Sequence, residues 1–341
     1  MIDLRSDTVT RPTHPMREAM MAAPLGDDVL GDEPTVQLLE RTTADLLGKE
    51  AGLYLPSGTM ANQCAVGTQA GPGQQVILET GAHIYQFEGG APSALWGVQT
   101  ATIDGDGGGL TWEQVASALP PDDVHYPEPA LVCLENTANK AGGRILNQQD
   151  VVTIGREAQA LGLRVHLDGA RLWNAHVASG LSMAELCAPV NTVSVCFSKA
   201  LGAPVGSCLA GDAAVIKRAR RLRKRLGGGM RQSGLLAAAC LFAMEHQLER
   251  LAEDHAHARR IVAELDNSLL SVDHPVDTNI VMVDVKEPGS AQSLLAHLAD
   301  RDIGALSLGP GRVRLIPNLE VSAQDMDTVL ATLNDYRGDA A

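Results

Sequence analysis

Short apolar runs, separated by longer stretches of helical period, set the rhythm of this chain. The runs at 52–55, 75–78, 98–103, 130–134, 163–167 and 192–196 predict strands, and 60–69 and 148–161 predict helices between them. Earlier, 15–22 reads as a short helix, and Pro34 opens a second helix that runs to about residue 48. Thr111 and Gln114 are spaced as a capping box, which predicts a helix start there. Strands alternating with helices imply a largely parallel sheet covered on both faces. A seventh strand at 205–210 follows its predecessor too closely for a helical crossover, so it is expected antiparallel. A single long helix is expected over 232–265. The last third repeats a smaller rhythm: strand 279–285, helix 291–301, strand 313–316, helix 322–336. The expected fold is therefore α/β. A large domain, 1–245, carries a mostly parallel seven-stranded sheet flanked by helices and an N-terminal arm; a small C-terminal α/β domain covers 246–341.

Composition changes this picture little. An apolar share of 45% against 20% charged residues, over 341 residues, supports a buried core without disulfides or a structural metal, so no metal site is expected. A net charge of −14 argues against a nucleic-acid partner or an acidic membrane surface. The basic run Arg218, Arg220, Arg221, Arg223, Lys224 and Arg225 is expected to be a solvated helix face or a subunit contact. Six cysteines without a C-x-x-C pair read as small buried hydrophobes. Neither a leader pattern nor an apolar stretch of membrane-spanning length is evident, so the cytoplasm is expected. Asp104-Gly105-Asp106-Gly107 reads as a turn, because it lacks the later carboxylates of a calcium loop. His255 and His257, in a highly charged helix, are expected to be solvated.

Candidate chemistry begins at His166-Leu167-Asp168-Gly169-Ala170-Arg171. Alternation puts His166 and Asp168 on one face of a strand, with Asp168 at its carboxyl end, where ligands gather in open α/β sheets. The simpler reading is an ion pair between Asp168 and Arg171 or another base. Lys199 closes the run Ser194-Val195-Cys196-Phe197-Ser198 and enters a Gly/Pro turn. A buried lysine is a candidate to attack a carbonyl. An Asp for a pyridinium nitrogen and a Lys for a covalent link form the pair that pyridoxal phosphate requires. Ser57-Gly58-Thr59, between a strand and a helix, offers hydroxyls and helix N–H groups to a phosphate, although Ser-Gly-Thr is also a common cap. Gly227 to Arg231 is a second glycine-softened approach that ends in a cation.

These residues resemble the low-specificity L-threonine aldolases, pyridoxal-phosphate enzymes of fold type I with an aspartate-aminotransferase-like architecture. The resemblance spans nearly the whole chain: Asp3 to Thr10, Gly26 to Val29, Pro56 to Met60, His83 to Tyr85, Leu134 to Thr137, His166 to Arg171, the Ser198-Lys199 turn, Gly227 to Gln232, and Arg314 to Ile316. It implies cleavage of L-threonine, L-allo-threonine and related β-hydroxy-α-amino acids to glycine and an aldehyde by retro-aldol chemistry. Lys199 would hold pyridoxal 5'-phosphate, Asp168 would pair with its ring nitrogen, and His83 would stack on the ring. Ser57, Gly58 and Thr59 would take the phosphate, with Arg171, Lys224 and Arg231 also in the cofactor set, Arg231 reaching in from a neighbouring subunit. Ser6, Arg171 and Arg314 would clamp the substrate carboxylate, and His83 or His125 would accept the β-hydroxyl proton. The resemblance further implies a homo-oligomer, a tetramer with the dimer as minimal unit.

Two stretches depart from the family pattern. The family commonly continues Glu-Asn-Thr with His-Asn, whereas Thr137 is followed here by Ala138-Asn139-Lys140. It usually has Thr-His after the strand that bears the clamp arginine, whereas Ile316 is followed here by Pro317-Asn318. Both bear on substrate choice. The alternative is β-elimination from another amino acid on the same cofactor; a binding protein working through the Arg218–Arg225 run is a third reading. Individually, His83 and His125 also read as loop residues, and Arg314 as a residue flanking an edge strand with Arg312 solvent-facing beside it.

Overall fold

The computed structural model describes residues 1–338. Seven strands form the central sheet: β1 (Ala51–Leu55), β2 (Gln75–Glu79), β3 (Gln99–Ile103), β4 (Pro129–Glu135), β5 (Arg164–Gly169), β6 (Thr192–Cys196) and β7 (Ser207–Gly211). Their order is β1-β7-β6-β5-β4-β2-β3, and β7 runs antiparallel to both neighbours. The short connection from β6 leaves no length for a crossover helix, which fixes that direction. All six cysteines are free and buried. The main core packs helices on this sheet around large side chains such as Tyr54, Trp173 and Phe197, each burial of this kind contributing roughly 1.5–3 kcal/mol.

Helix α1 (Gly58–Gln69) begins where β1 ends, capped by the Ser57 hydroxyl, which accepts from the Met60 N–H at 3.2 Å. Thr111 and Gln114 make the reciprocal capping box that their spacing predicts. The Asp104–Gly107 stretch is a turn, closed by paired backbone bonds between Asp106 and Gly109.

The basic run lies on α2 (Ala213–Arg225), and its exposure differs from expectation. Arg221, Lys224 and Arg225 are exposed, but Arg223 is buried, paired with Asp28 at 2.7 Å and donating to the Tyr54 carbonyl at 2.8 Å. One face of α2 packs on α1 and β1, which takes Arg223 inward.

The long helix expected over 232–265 is two helices, α3 (Gly234–His246) and α4 (Leu251–Glu264), parted by a turn. At the turn Arg250 points inward, donating to the Ala200 carbonyl at 3.3 Å and pairing with Asp254 at 2.7 Å. His255 is buried rather than solvated, because α4 packs on the helix Leu172–Ser179 and Asn174 meets its Nε2 at 3.1 Å. Burial, with the charges of Arg259 and Arg250, pushes its pKa down to about 4, which keeps it neutral. His257 is half-buried.

Beyond α4, strands β8 (Leu270–Ser271), β9 (Val281–Val285), β10 (Leu306–Ser307) and β11 (Arg312–Leu315) form a four-stranded antiparallel sheet. Helices Ala291–Ala299 and Ala323–Asn334 pack with it around a second core of Ile261, Val283, Leu298, Leu315 and Leu333. Leu4 belongs to that core, and Ile2–Asp3 pairs in parallel with Ile303–Gly304. Among the described residues, no helix is long and apolar enough to cross a membrane.

Candidate active site

The parallel register sets Glu135, Asp168 and Ser194 side by side on β4, β5 and β6, near the carboxyl ends of those strands. Asn62, one turn into α1, ties them together. Its amide nitrogen donates to Asp168 Oδ2 and Glu88 Oε1, both at 2.8 Å. Its carbonyl oxygen accepts from the Ser194 hydroxyl at 2.7 Å and meets His166 Nε2 at 3.1 Å. His166 also meets the Thr192 hydroxyl at 2.9 Å, and burial pushes its pKa down to about 4. The second Asp168 oxygen accepts the Ala170 N–H at 3.1 Å. Among the described residues, no cationic side chain lies within ion-pair distance of this buried carboxylate. Arg171 is not its partner, contrary to the simpler sequence reading. Arg171 grips Asp7 with Nε and Nη2, both at 2.7 Å, and both residues are buried.

His83 opens a short turn after β2. Its Nδ1 lies 3.1 Å from Glu88 Oε1, and its backbone N–H donates to Glu135 Oε2 at 2.6 Å. A ring nitrogen of His83 and carboxylate oxygens of Glu88 and Asp168 all lie within 4.8 Å of one another. Burial disfavours the imidazolium, but the Glu88 bond and the Asp168 charge outweigh it, so the His83 pKa is raised. The Glu135 carboxyl is pushed up to about 7, first by burial and then by the negative charge of Asp168.

Folded Glu135 keeps a proton that the unfolded chain, near 4.5, has already released, so its contribution favours the fold at low pH and is lost as pH rises through about 7. Glu135→Gln cannot ionise. Its melting midpoint should gain on the wild type by roughly 3–6 °C between pH 5 and pH 8. A wild-type-to-variant difference independent of pH would contradict this assignment.

Lys199 follows β6 in a tight turn. Its backbone carbonyl accepts the Gly202 N–H and the Thr10 hydroxyl, both at 2.8 Å, and Gly202 takes φ +79°. Its charge is felt at both His83 and Asp7. Nearby, Gly58 starts α1 so close to β6 that a Cβ there would meet Cys196 Sγ at 2.7 Å. The open N–H groups of the first turn and the hydroxyls of Ser57 and Thr59 therefore flank a surface where only glycine fits.

Arg314, on β11, is a half-buried residue in the interior of the second sheet rather than the flank of an edge; Arg312 faces outward and pairs with Asp284 at 2.6 Å. Arg314 Nη1 donates to Asn139 Oδ1 at 3.1 Å and Nη2 to the Arg5 carbonyl at 3.1 Å; its buried Nε has no partner among the described residues. Burial, then the charge of Arg171, hold its pKa below the ordinary arginine value. Ser6, next to Asp7, caps the short turn Asp7–Val9 through its hydroxyl.

Three predicted residues stand apart. His125 is exposed, 2.6 Å from Asp123, in the loop that enters β4. It therefore sits at the amino end of a seven-residue strand whose carboxyl end carries Glu135, roughly 20 Å along the strand. The expectation that His125 joins His83 as a base is not met within one chain. Arg231 is exposed and turned to Asp27 at 3.0 Å. Exposed Lys224 packs near Gly229, and a Cβ on Gly228 would lie 2.2 Å from Met60 Sδ, so this segment runs past the first turn of α1.

Sequence reading missed Asp7, Asn62, Glu88, Glu135 and Asn139. Asp7, Glu135 and Asn139 fall inside or beside motifs already quoted, which was their one available signal.

A family model described as beta-eliminating lyase matches residues 3–288. The chain is 42% identical to the low specificity L-threonine aldolase of Escherichia coli (strain K12), covering 97% of this chain and 98% of that one. It is 39% identical to low-specificity L-threonine aldolase 1 of Arabidopsis thaliana, over 97% and 94% of the two chains. In fold it is similar to a Leishmania major threonine aldolase (TM-score 0.85, 22% identity, 98% of each chain). It is also similar to a serine palmitoyltransferase of Sphingomonas wittichii (TM-score 0.76, 19% identity, 98% and 86%). The architecture is that of fold type I. By sequence over nearly its whole length, the chain belongs to the beta-eliminating lyase family and, within it, to the low-specificity L-threonine aldolases.

Proposed function

We propose that this chain binds pyridoxal 5'-phosphate and cleaves L-threonine, L-allo-threonine and related β-hydroxy-α-amino acids to glycine and an aldehyde. The observation that carries this reading is Asp168, a buried carboxylate with amide partners but no cationic side chain at ion-pair distance among the described residues. A protonated ring nitrogen would give that carboxylate a cationic partner. Lys199 would hold the cofactor covalently, His83 would lie on its ring, and Ser57, Gly58 and Thr59 would take its phosphate. Arg171 holds Asp7 and so borders the same space. Arg231, exposed, would reach the phosphate of a neighbouring copy, and exposed Lys224 would lie near the phosphate site.

When bound, pyridoxal phosphate supplies an electron sink for a bond broken at Cα. The residues of the chain decide which bond breaks. Ser6, Arg171 and Arg314 would fix the substrate carboxylate. That grip would orient the substrate and so decide which bond at Cα is exposed to cleavage. With Nδ1–H given to Glu88, His83 Nε2 is the nitrogen left to accept the β-hydroxyl proton. The aldehyde would leave, and Cα would regain a proton to give glycine.

The working unit in this reading is a homo-oligomer, a tetramer with the dimer as its minimum. Met21, Leu25, Leu30 and Leu38, exposed in the single chain, support a covered face. Free buried cysteines suit a reducing compartment, hence the cytoplasm. We likewise divide the chain into a cofactor-binding large domain, 1–245, and a small domain, 246–341.

The test is the visible absorbance of purified protein reconstituted with pyridoxal phosphate. A protein-bound band that shifts on adding L-threonine or L-allo-threonine is expected. A protein that retains no cofactor after reconstitution would overturn the reading.

A further inference from the structure

Two like-charged guanidiniums converge on one neutral oxygen in this structure. Arg171 commits Nε and Nη2 to Asp7, which leaves Nη1 to reach Asn139 Oδ1 at 3.3 Å. Arg314 brings its Nη1 to the same oxygen at 3.1 Å, with its Nε unpartnered. Left to themselves, two cations in a half-buried space repel and splay. An amide carbonyl accepts from both at once, yet cancels neither charge. A carboxylate in its place would also align them, but would cancel one of the two charges and oppose an incoming anion.

The backbone of the same residue is fixed independently. Asn139 N–H donates to Glu135 Oε1 at 2.8 Å, and the other oxygen of that carboxylate holds the His83 N–H at 2.6 Å. One carboxylate thus sets the spacing between the arginine pair and His83.

From this we infer that Asn139 is a positioning residue that holds Arg171 and Arg314 in register for the substrate α-carboxylate, and that its neutrality makes the site selective for that anion. The inference rests on the reading of the site given above. Asn139 touches neither cofactor nor substrate in this account; it acts through the two arginines.

The test compares glycine with glycinamide, which keeps the amine and lacks the carboxylate. Binding of each to the reconstituted protein is followed by the change in visible absorbance, in wild type, Asn139→Ala and Asn139→Asp. Asn139→Ala is expected to weaken glycine binding about tenfold, the scale of one charge-assisted hydrogen bond lost from the clamp. Asn139→Asp should weaken it by about a hundredfold, because it adds repulsion. Glycinamide affinity should stay within about twofold in both, which also verifies an intact site. In cleavage assays the loss should fall on KM, with kcat changed less than about threefold. Parallel loss of glycine and glycinamide binding would mean a merely structural residue and would overturn the inference. So would unchanged glycine binding in Asn139→Asp. Neither comparison requires threonine cleavage, so failure of the proposed reaction would be seen separately.

Discussion

Lys199→Ala is expected to lower the rate of threonine cleavage by roughly four orders of magnitude or more while the protein still folds. The two halves of this expectation rest on different atoms. The turn that carries Lys199 is held through its backbone: the carbonyl accepts from Gly202 and from the Thr10 hydroxyl, both at 2.8 Å. The ammonium makes no hydrogen bond or ion pair within the protein among the described residues. Removing it would take away the proposed covalent anchor, and little packing. Cleavage rate and melting midpoint, measured on the same preparation, check the expectation. A variant that keeps more than about one per cent of wild-type activity would rule out Lys199 as the anchor.

The second large effect is on stability. Asp7→Ala strips the partner from Arg171, whose guanidinium is only 6% exposed and is held by two bonds of 2.7 Å. A buried charge left unpaired costs about 3–5 kcal/mol. For a protein of this size that corresponds to a melting midpoint lowered by roughly 10 °C. Arg171 also loses the partner that sets its direction, so KM for threonine should rise together with the loss of stability. A midpoint within about 2 °C of the wild type would show that the pair contributes little. Asp7→Asn separates charge from shape: it keeps acceptors for Arg171 and should recover part of the midpoint but little of the substrate affinity.

The strands of the large sheet were legible because each is a short apolar run bounded by turn residues, and the direction of β7 was legible from the length of its connection alone. The placement of Asp168 and Lys199, the proposed cofactor residues, was legible for a similar reason. Asp168 and Lys199 stand at strand ends one αβ unit apart, where alternation and chain length decide their placement. What escaped depends on partners distant in the chain. Asp7 and Arg171 are 164 residues apart, and nothing local to Arg171 says that its carboxylate comes from the N-terminal arm rather than from Asp168. Asn62 lies on a helix whose inward face is set only once α1 packs on the sheet. His255 was misjudged because charge density along a helix does not say which face another helix covers. His125 was different: it precedes β4 by a few residues, so the rule that ligands gather at carboxyl ends already spoke against it within its own chain.

The bond broken at Cα separates aldol cleavage from β-elimination, and product analysis with L-threonine measures it directly. Glycine, acetaldehyde, ammonia and 2-oxobutanoate are quantified together from one reaction of the reconstituted protein. Glycine and acetaldehyde are expected in equal amounts, with ammonia and the keto acid at background. Ammonia and 2-oxobutanoate in equal amounts, without acetaldehyde, would contradict that expectation and assign the chain to β-elimination.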